Sequence, residues 1–274
     1  MLTLGETVHD LTYRALVMGI VNRTPDSFYD RGATWEMDAF LRRAEDLVDS
    51  GADILDVGGV KAGPGPEVTM SEELGRVIPA IAALHERFDV PLSVDTWRAE
   101  VAREAYSVGA VVGNDISGFS DPKYLPYAAE AGAAVVATHI RLAPRVPDPE
   151  PYYHDVVTSV RDALAAHAER ALANGIAKDK IILDAGLDLG KTHEQSLTLL
   201  RGSSTIASLG YPLLLSASNK PFFFALGLEI DEREAASVSA AALGVALGSR
   251  ILRVHDVDRT RQVRDVLAHL MQAV

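Results

Sequence analysis

The sequence predicts an α/β fold, a (β/α)8 TIM barrel that forms a single domain over residues 1–274. The first observation is a recurring unit, in which a helical stretch and a glycine precede a short apolar run and a polar residue. Such runs are typical of parallel strands that are buried on both faces. The second observation is that eight runs occur, which favours a closed barrel over the alternative, a doubly wound open sheet. The third is the chain length, which suits one barrel.

The predicted elements alternate along the whole chain. Residues 1–14 precede the first strand and are expected to form an extension over the barrel. The clearest helices lie at 37–48, 160–173 and 232–246, where Ala and Leu recur at helical spacing. The eight strands are expected within residues 14–22, 50–59, 88–96, 108–118, 131–139, 178–186, 209–218 and 247–256.

Two segments rich in Pro and Gly interrupt this alternation. They are residues 60–68 and 141–153, and each follows a predicted strand on the side of the barrel where catalytic residues gather. We expect them to be mobile loops that close over a substrate. Ordinary solvated connections are the alternative interpretation.

Composition limits the classes of partner. The net charge of −12 argues against nucleic acid or an anionic membrane surface as the main partner. No apolar run approaches the ~18 residues that would span a bilayer. The chain has no cysteine, and its first residues show neither the basic nor the apolar part of a secretion signal. We therefore expect a cytoplasmic protein that acts on small molecules.

Polar residues follow the predicted strands at the positions that converge on one pocket in a barrel. Each one alone could cap a helix or be satisfied in the core. Burying so many polar groups together would be costly without a ligand to satisfy them. The set comprises Asn22, Asp56, Asp95, Asn114, His139, Asp184, Ser218, Lys220, Arg253 and His255.

The carboxylates and the amide in this set favour one kind of ligand. Asp95, Asp184 and Asn114 suit a flat heterocycle with several N–H donors and ring acceptors. A pterin and a guanine both meet this description. Such a ring would lie across the mouth of the barrel.

The cations of the set indicate a phosphate-bearing group. Arg253 and His255 follow the last strand, and Asn22 follows the first strand beside it. The loops near the last strands are the usual phosphate position in this fold. The segment AGLDLGKT (185–192) is similar to a phosphate-binding P-loop, but Ala185 stands where the first glycine is needed. We therefore exclude a nucleotide triphosphate loop there.

These residues lie in motifs that resemble the dihydropteroate synthase family. The motifs follow the family's order and spacing over nearly the whole chain: MGIVNRTPDSF (18–28), DILDVGG (53–59), SVDTWRAEVA (93–102), VVGNDISG (111–118), IILDAG (181–186), SNK (218–220) and ILRVHDV (251–257). The resemblance implies a homodimeric barrel. It also implies Mg²⁺ as the cofactor and a transferase reaction, in which 4-aminobenzoate displaces pyrophosphate from a hydroxymethyl-dihydropterin diphosphate in folate biosynthesis.

The resemblance also implies a role for each matching residue. The pterin ring is held by Asp95, Asn114, Asp184, Lys220 and Arg253. Phosphate contacts come from Asn22, Arg253 and His255, and the Mg²⁺ ligand is Asn22. The catalytic residues are Asp95, Asp184, Lys220 and Arg253.

The chain departs from the family on the second-substrate side. After the glycine pair the family reads Glu-Ser-Thr-Arg-Pro-Gly, whereas this chain has Lys61, Ala62 and Gly63 where Ser, Thr and Arg are expected. Leu189 replaces an aromatic residue, and Pro221 replaces a serine. Lys61 could restore a charge but not the planar fork of an arginine. We predict a divergent paralogue that keeps pterin diphosphate binding and has an altered 4-aminobenzoate site.

Three functions therefore stay open from the sequence. The first is a working synthase. The second is a homologue with weak or no synthase activity, which uses another acceptor or only binds the pterin. The third, a pterin-dependent methyl transferase to a corrinoid partner, gives no reason for the phosphate pair Arg253 and His255.

Overall fold

The computed structural model describes residues 1–24, 35–63, 65–229 and 232–273. Eight parallel strands close into a barrel, in which the last strand pairs with the first. The (β/α)8 prediction is confirmed. In barrel order the strands are β3 (Leu16–Ile20), β4 (Ile54–Gly58), β5 (Leu92–Asp95), β6 (Ala110–Asp115), β7 (Ala134–Thr138), β8 (Ile181–Asp184), β9 (Leu213–Leu215) and β10 (Ser249–Val254).

Helices cover the outside of the barrel and alternate with its strands. Two of the three predicted helices begin at other residues than expected. The second begins at Val156, because the Asp155 side chain caps it by accepting from Thr158 N at 2.6 Å. The helices are α1 (Met37–Asp49), α2 (Met70–Arg87), α3 (Ala99–Ser107), α4 (Tyr124–Glu130), α5 (Val156–Ala173), α6 (His193–Arg201), α7 (Ser203–Ala207), α8 (Glu234–Ala246) and α9 (Val257–Gln272).

A short hairpin closes the N-terminal end of the barrel. Strands β1 (Leu2–Leu4) and β2 (Thr7–His9) pair antiparallel within the first residues of the chain. Leu2 and Leu4 are buried against the inward-facing side chains of the barrel, among them Met18. The barrel interior is therefore a packed core, and the C-terminal end of the strands is left for the polar residues.

The two segments rich in Pro and Gly lie together at the C-terminal end of the barrel. Arg145 Nη2 donates to Pro66 O at 2.5 Å, which joins the loop after β7 to the loop after β4. Tyr153 Oη donates to Gly190 O at 2.8 Å, which joins the loop after β7 to the loop after β8. The mobility of these loops stays a prediction. None of the helices in the described parts of the chain is both long enough and apolar enough to cross a bilayer.

Candidate active site

Arg253 joins two strands on the far side of the barrel mouth. It projects from β10, and its Nε lies 2.6 Å from Asp56 Oδ2, in the middle of β4. Its Nη2 lies 2.6 Å from Asp95 Oδ2 at the end of β5. The register of β4 and β5 pairs Gly58 with Asp95, so the two carboxylates sit at successive levels of the mouth. One guanidinium therefore bridges two carboxylates, and its plane is fixed.

Asp56 is the residue on which this arrangement depends. It is fully buried and accepts hydrogen bonds from Ser93 Oγ at 2.5 Å and from Asn114 Nδ2 at 3.2 Å, in addition to its ion pair with Arg253. The sequence placed Asp56 at a strand end, but the resemblance assigned it no role. Its place at the end of a predicted strand was the available signal, although the structure places it inside β4, two residues before Gly58. The structure shows that Asp56 orients two of the predicted pterin residues, Asn114 and Arg253.

Burial and neighbouring charges shift the pKa values of Asp95 and Arg253. Burial raises the pKa of Asp95 to about 7. The positive charge of Arg253 opposes this rise, whereas the negative charge of Asp56 adds to it. Burial disfavours the charged Arg253, but Asp56 and Asp95 outweigh it and raise the pKa of the guanidinium. Arg253 is thus a permanent cation, and Asp95 is a carboxyl group that can take up a proton near neutral pH.

Asp184 and Lys220 face each other from β8 and the loop after β9. Gly186 N donates to Asp184 Oδ1 at 2.8 Å in a turn where Gly186 has φ +62°. A Cβ there would collide with His139 O, so only glycine allows this turn. Burial raises the pKa of Asp184, while the Gly186 N–H and Lys220 oppose that rise. Lys220 Nζ donates to Leu187 O at 3.1 Å, and burial lowers its pKa.

The predicted phosphate residues lie at the seam between β10, β3 and β9. His255 Nδ1 lies 3.0 Å from Ser218 Oγ, and His255 N donates to the same oxygen at 3.2 Å, so Ser218 orients the imidazole. Asn22 Oδ1 lies where a side chain on Gly58 would be, 2.7 Å from an ideal Cβ. Gly58 is therefore needed to admit the amide group of Asn22.

The donor set fits a metal that arrives with its ligand. Within the residues that the structure describes, no group of three His, Cys, Asp or Glu side chains could hold a metal ion. Mg²⁺ is commonly bound by one or two protein oxygens, with water and substrate phosphates as its other ligands. The amide oxygen of Asn22 is such a group. Asn22 alone therefore fits the part that a protein oxygen takes in such a site, and magnesium stays a prediction.

Three of the five predicted second-substrate residues, Ala62, Gly63 and Leu189, line a cavity of about 220 Å³ between the loops after β4, β7 and β8. Pro221 is not part of its lining but begins the 3₁₀ helix Pro221–Leu226. Lys61 also lies outside the lining, beside Gly63. The lining residues are Ala62, Gly63, Ile140, Ala143, Arg145, Val146, Pro147, Asp148, Asp188, Leu189, Gly190 and Lys191.

Lys191 is a buried residue to which the sequence analysis gave no role. Its Nζ donates to Gly186 O at 2.8 Å, to Leu189 O at 2.9 Å and to His139 O at 3.2 Å, and it lies 3.0 Å from His139 Nδ1. Burial lowers its pKa to about 7, and burial with the nearby Lys191 charge lowers the pKa of His139 to about 3. Lys191 therefore holds the loop after β8 against β7. The segment AGLDLGKT (185–192), which contains Lys191, was the signal that could have identified it.

Comparison with known proteins agrees with this geometry. Residues 18–255 match the family described as "Pterin binding enzyme". The chain is 43% identical over 266 residues to "Inactive dihydropteroate synthase 2" of Mycobacterium leprae, which covers 94% of this chain and 91% of the relative. It is 40% identical over 266 residues to "Dihydropteroate synthase" of Synechocystis, with 96% and 92% covered.

A solved structure is similar to this chain over its whole length. The crystal structure of the Yersinia pestis dihydropteroate synthase with a sulfonamide drug superimposes with a TM-score of 0.94 at 38% identity, and covers 100% of this chain and 99% of that one. The fold and the extent of the match agree over the whole barrel. The chain belongs to the dihydropteroate synthase family of pterin-binding enzymes.

Proposed function

We propose that the protein is a transferase of the dihydropteroate synthase type, which joins 6-hydroxymethyl-7,8-dihydropterin diphosphate to 4-aminobenzoate and releases pyrophosphate. The observation that carries this proposal is Arg253, held by Asp56 and Asp95 at the barrel mouth beside Asn114. The names of the Synechocystis and Yersinia pestis relatives support it.

The pterin would lie across the ends of β5, β6 and β8. Asp95 and Asp184 offer carboxylate oxygens to the N–H groups of the ring, and Asn114 offers both a donor and an acceptor. Lys220, fixed by Leu187 O, can donate to a ring acceptor. The guanidinium plane of Arg253, fixed by two carboxylates, can stack on the ring. This half of the site is set before substrate arrives, so little free energy is lost in ordering it.

The diphosphate would lie toward β10 and β3. The C–O bond breaks with its electron pair going to the diphosphate, and the charge that gathers on the leaving oxygens faces Arg253 and His255. Magnesium bound to the diphosphate and to Asn22 would neutralise further charge. The carboxylate of Asp184 favours the pterin cation that results. The arylamine nitrogen then forms the new C–N bond and loses a proton to water.

A second candidate function is a homologue that binds the pterin diphosphate but has weak or no synthase activity, acting on another acceptor or as a non-catalytic binding protein. The observation that favours it is the loop after β4, where Ala62 and Gly63 replace the family's Thr and Arg. The Mycobacterium leprae relative, which is named inactive, supports the same candidate.

We also propose a homodimer in the cytoplasm. Helices α8 and α9 pack side by side, and their outer faces expose Leu243, Val266 and Leu270. Exposed apolar side chains on adjacent helices suit a self-complementary contact.

The absence of cysteine means that the protein needs no oxidising compartment.

The test is pyrophosphate release from the pterin diphosphate, measured with and without 4-aminobenzoate in the presence of Mg²⁺. Release that depends on 4-aminobenzoate, with pteroate as the product, is the expected result. Release without incorporation of the arylamine would instead indicate another acceptor. Absence of release in both reactions would contradict the enzymatic proposal and favour the binding protein.

A further inference from the structure

The loop after β8 carries a carboxylate at a backbone position that suits glycine. Three alternate residues of this loop have a positive φ: Gly186 at +62°, Asp188 at +65° and Gly190 at +62°. Glycine adopts this left-handed conformation readily, and among residues with a Cβ it is least unfavourable for Asn and Asp. Asp188 is the member of this series that has a side chain. The contacts of its carboxylate therefore indicate what it contributes.

The half-buried Asp188 side chain joins its loop to two other segments. Its Oδ2 accepts from Phe222 N at 3.1 Å, in the 3₁₀ helix that follows β9. Its Oδ1 accepts from Ser196 Oγ of α6 at 3.2 Å, and the same hydroxyl accepts from Asp188 N at 3.1 Å. Pro221 has no N–H, so Phe222 N is the first backbone donor after Lys220. Asp188 thus fastens the chain directly after Lys220.

Lys220 is held by two adjacent residues of the loop after β8. Its Nζ donates to Leu187 O at 3.1 Å, which fixes the end of the side chain. Asp188 fixes the backbone that follows it through Phe222 N. The side chain of Lys220 is therefore directed across the mouth of the barrel before any ligand is bound.

The carboxylate of Asp188 also acts on the charge of Lys220. Burial lowers the pKa of Lys220, and among the neighbouring charges Asp188 opposes this most strongly, ahead of Asp184. It does so without a direct ion pair, since its hydrogen bonds go to Ser196 and Phe222. The charged groups that face Lys220 are the carboxylates of Asp95, Asp184 and Asp188 and the cations Lys191 and Arg253.

We propose that Asp188 is a positioning residue of the pterin site, which holds Lys220 in place and keeps it as an ammonium that donates to the pterin. This inference rests on the pterin-binding part of the proposed function. An ammonium has one more N–H than a neutral amine, so Lys220 can donate to Leu187 O and to the ligand together. Asp184 and Asp95 are themselves expected to accept from the pterin. Asp188 supplies a negative charge that no pterin contact requires.

The first test is Asp188→Asn, which keeps the shape, tolerates the positive φ and can still accept from Phe222 N, but has no charge. Calorimetry with the pterin diphosphate and Mg²⁺ measures its affinity from pH 6 to pH 9. At pH 6 the variant should bind as the wild type does. At pH 9 it should bind about 10-fold more weakly, because a charged donor has become a neutral one.

Two further variants separate charge from shape. Asp188→Gly suits the backbone but loses both the charge and the bond to Phe222 N, so it should bind the pterin diphosphate more weakly at every pH. Asp162→Asn, which removes an exposed carboxylate on α5, is the matched control and should bind as the wild type does throughout. Identical pH profiles for the wild type and Asp188→Asn would overturn the proposal, because Asp188 would then only fasten the loops. Wild-type affinity in Asp188→Gly would overturn it as well.

A second measurement separates this inference from the proposed function. The side-chain resonance of Lys220 in lysine-labelled protein, assigned with Lys220→Met, is followed against pH without any ligand. In Asp188→Asn this resonance should titrate at lower pH than in the wild type, whether or not the protein binds a pterin. An unmoved titration would overturn the inference. Absence of pterin diphosphate binding to the wild type, with a moved titration, would instead refute the proposed function alone.

Discussion

The two halves of the candidate site are built in different ways. The pterin half consists of side chains at the ends of barrel strands, and its centre is the ion-paired group Asp56, Asp95 and Arg253. The acceptor half consists of loops, which are joined by side chains that bind backbone carbonyls, such as Arg145 to Pro66 O and Tyr153 to Gly190 O. Strand register fixes the first half, whereas the second changes with a few loop residues. A few loop substitutions can therefore alter the acceptor half while the pterin half stays unchanged.

The largest effect should come from Arg253→Met, which removes the cation at the centre of the pterin half. Removing this cation leaves Asp56 and Asp95 buried without a counter-ion, and breaking a buried pair costs about 3–5 kcal/mol. We expect the free energy of unfolding to fall by that order and pterin diphosphate binding to be lost. Denaturant unfolding and calorimetry measure the two effects. Arg103→Met on the surface of α3 is the control, and it should leave the free energy of unfolding nearly unchanged, because exposed ion pairs contribute little to stability. Equal costs would contradict the central role of Arg253.

The next largest effect should come from restoring the acceptor half. The double variant Ala62→Thr/Gly63→Arg should raise pteroate formation by ~10²-fold, or roughly 2.7 kcal/mol of transition-state stabilisation. An added Cβ on Gly63 would meet only Lys61 Cε among the described atoms, at 3.9 Å, so a side chain can begin there without a clash. Steady-state rates with 4-aminobenzoate measure the gain.

The control for this restoration is Ala62→Thr/Gly63→Lys, which adds the charge without the planar fork and should gain less. An unchanged rate in the arginine variant would show that the loop residues are not what limits the synthase reaction.

Lys191 allows a pH test of the acceptor half. Burial lowers its pKa from 10.5 to about 7, so the unfolded chain binds more protons than the folded one between these values. Its contribution should therefore make the unfolding free energy rise with pH from about 7 to about 10, by at most about 1.4 kcal/mol per pH unit. Lys191→Met should lose this slope in denaturant unfolding. A slope that persists in the variant would assign it to another group.

Asp95 should give the opposite slope in the pterin half. Burial raises its pKa from 3.8 to about 7, so the folded chain binds more protons than the unfolded one in this interval. Its contribution should make the unfolding free energy fall as pH rises from about 4 to about 7, and level off above that. Denaturant unfolding of Asp95→Asn, in which this slope is absent, is the comparison. If the unfolding free energies of the wild type and the variant changed with pH in parallel, the raised pKa of Asp95 would be contradicted.

The fold and the gathering of polar residues at the strand ends could both be predicted from the sequence, because one rule of barrel geometry governs both. The carboxyl ends of parallel strands meet at one end of a barrel, so Asp95, Asn114 and Asp184 had to lie close together. The ion pairs of Arg253 could not be predicted, because they depend on which strands face each other across the mouth. The burial of Lys191 was also hidden, since its acceptors are backbone carbonyls, which leave no sequence pattern.

The central claim is that the pterin half is complete while the acceptor half has changed. Calorimetric titration of the wild type with 6-hydroxymethyl-7,8-dihydropterin diphosphate and Mg²⁺, in the absence of any arylamine, tests it most directly. We expect saturable binding of one molecule per chain, which is lost in Arg253→Met and unchanged in Arg145→Met. Absence of binding to the wild type would contradict it.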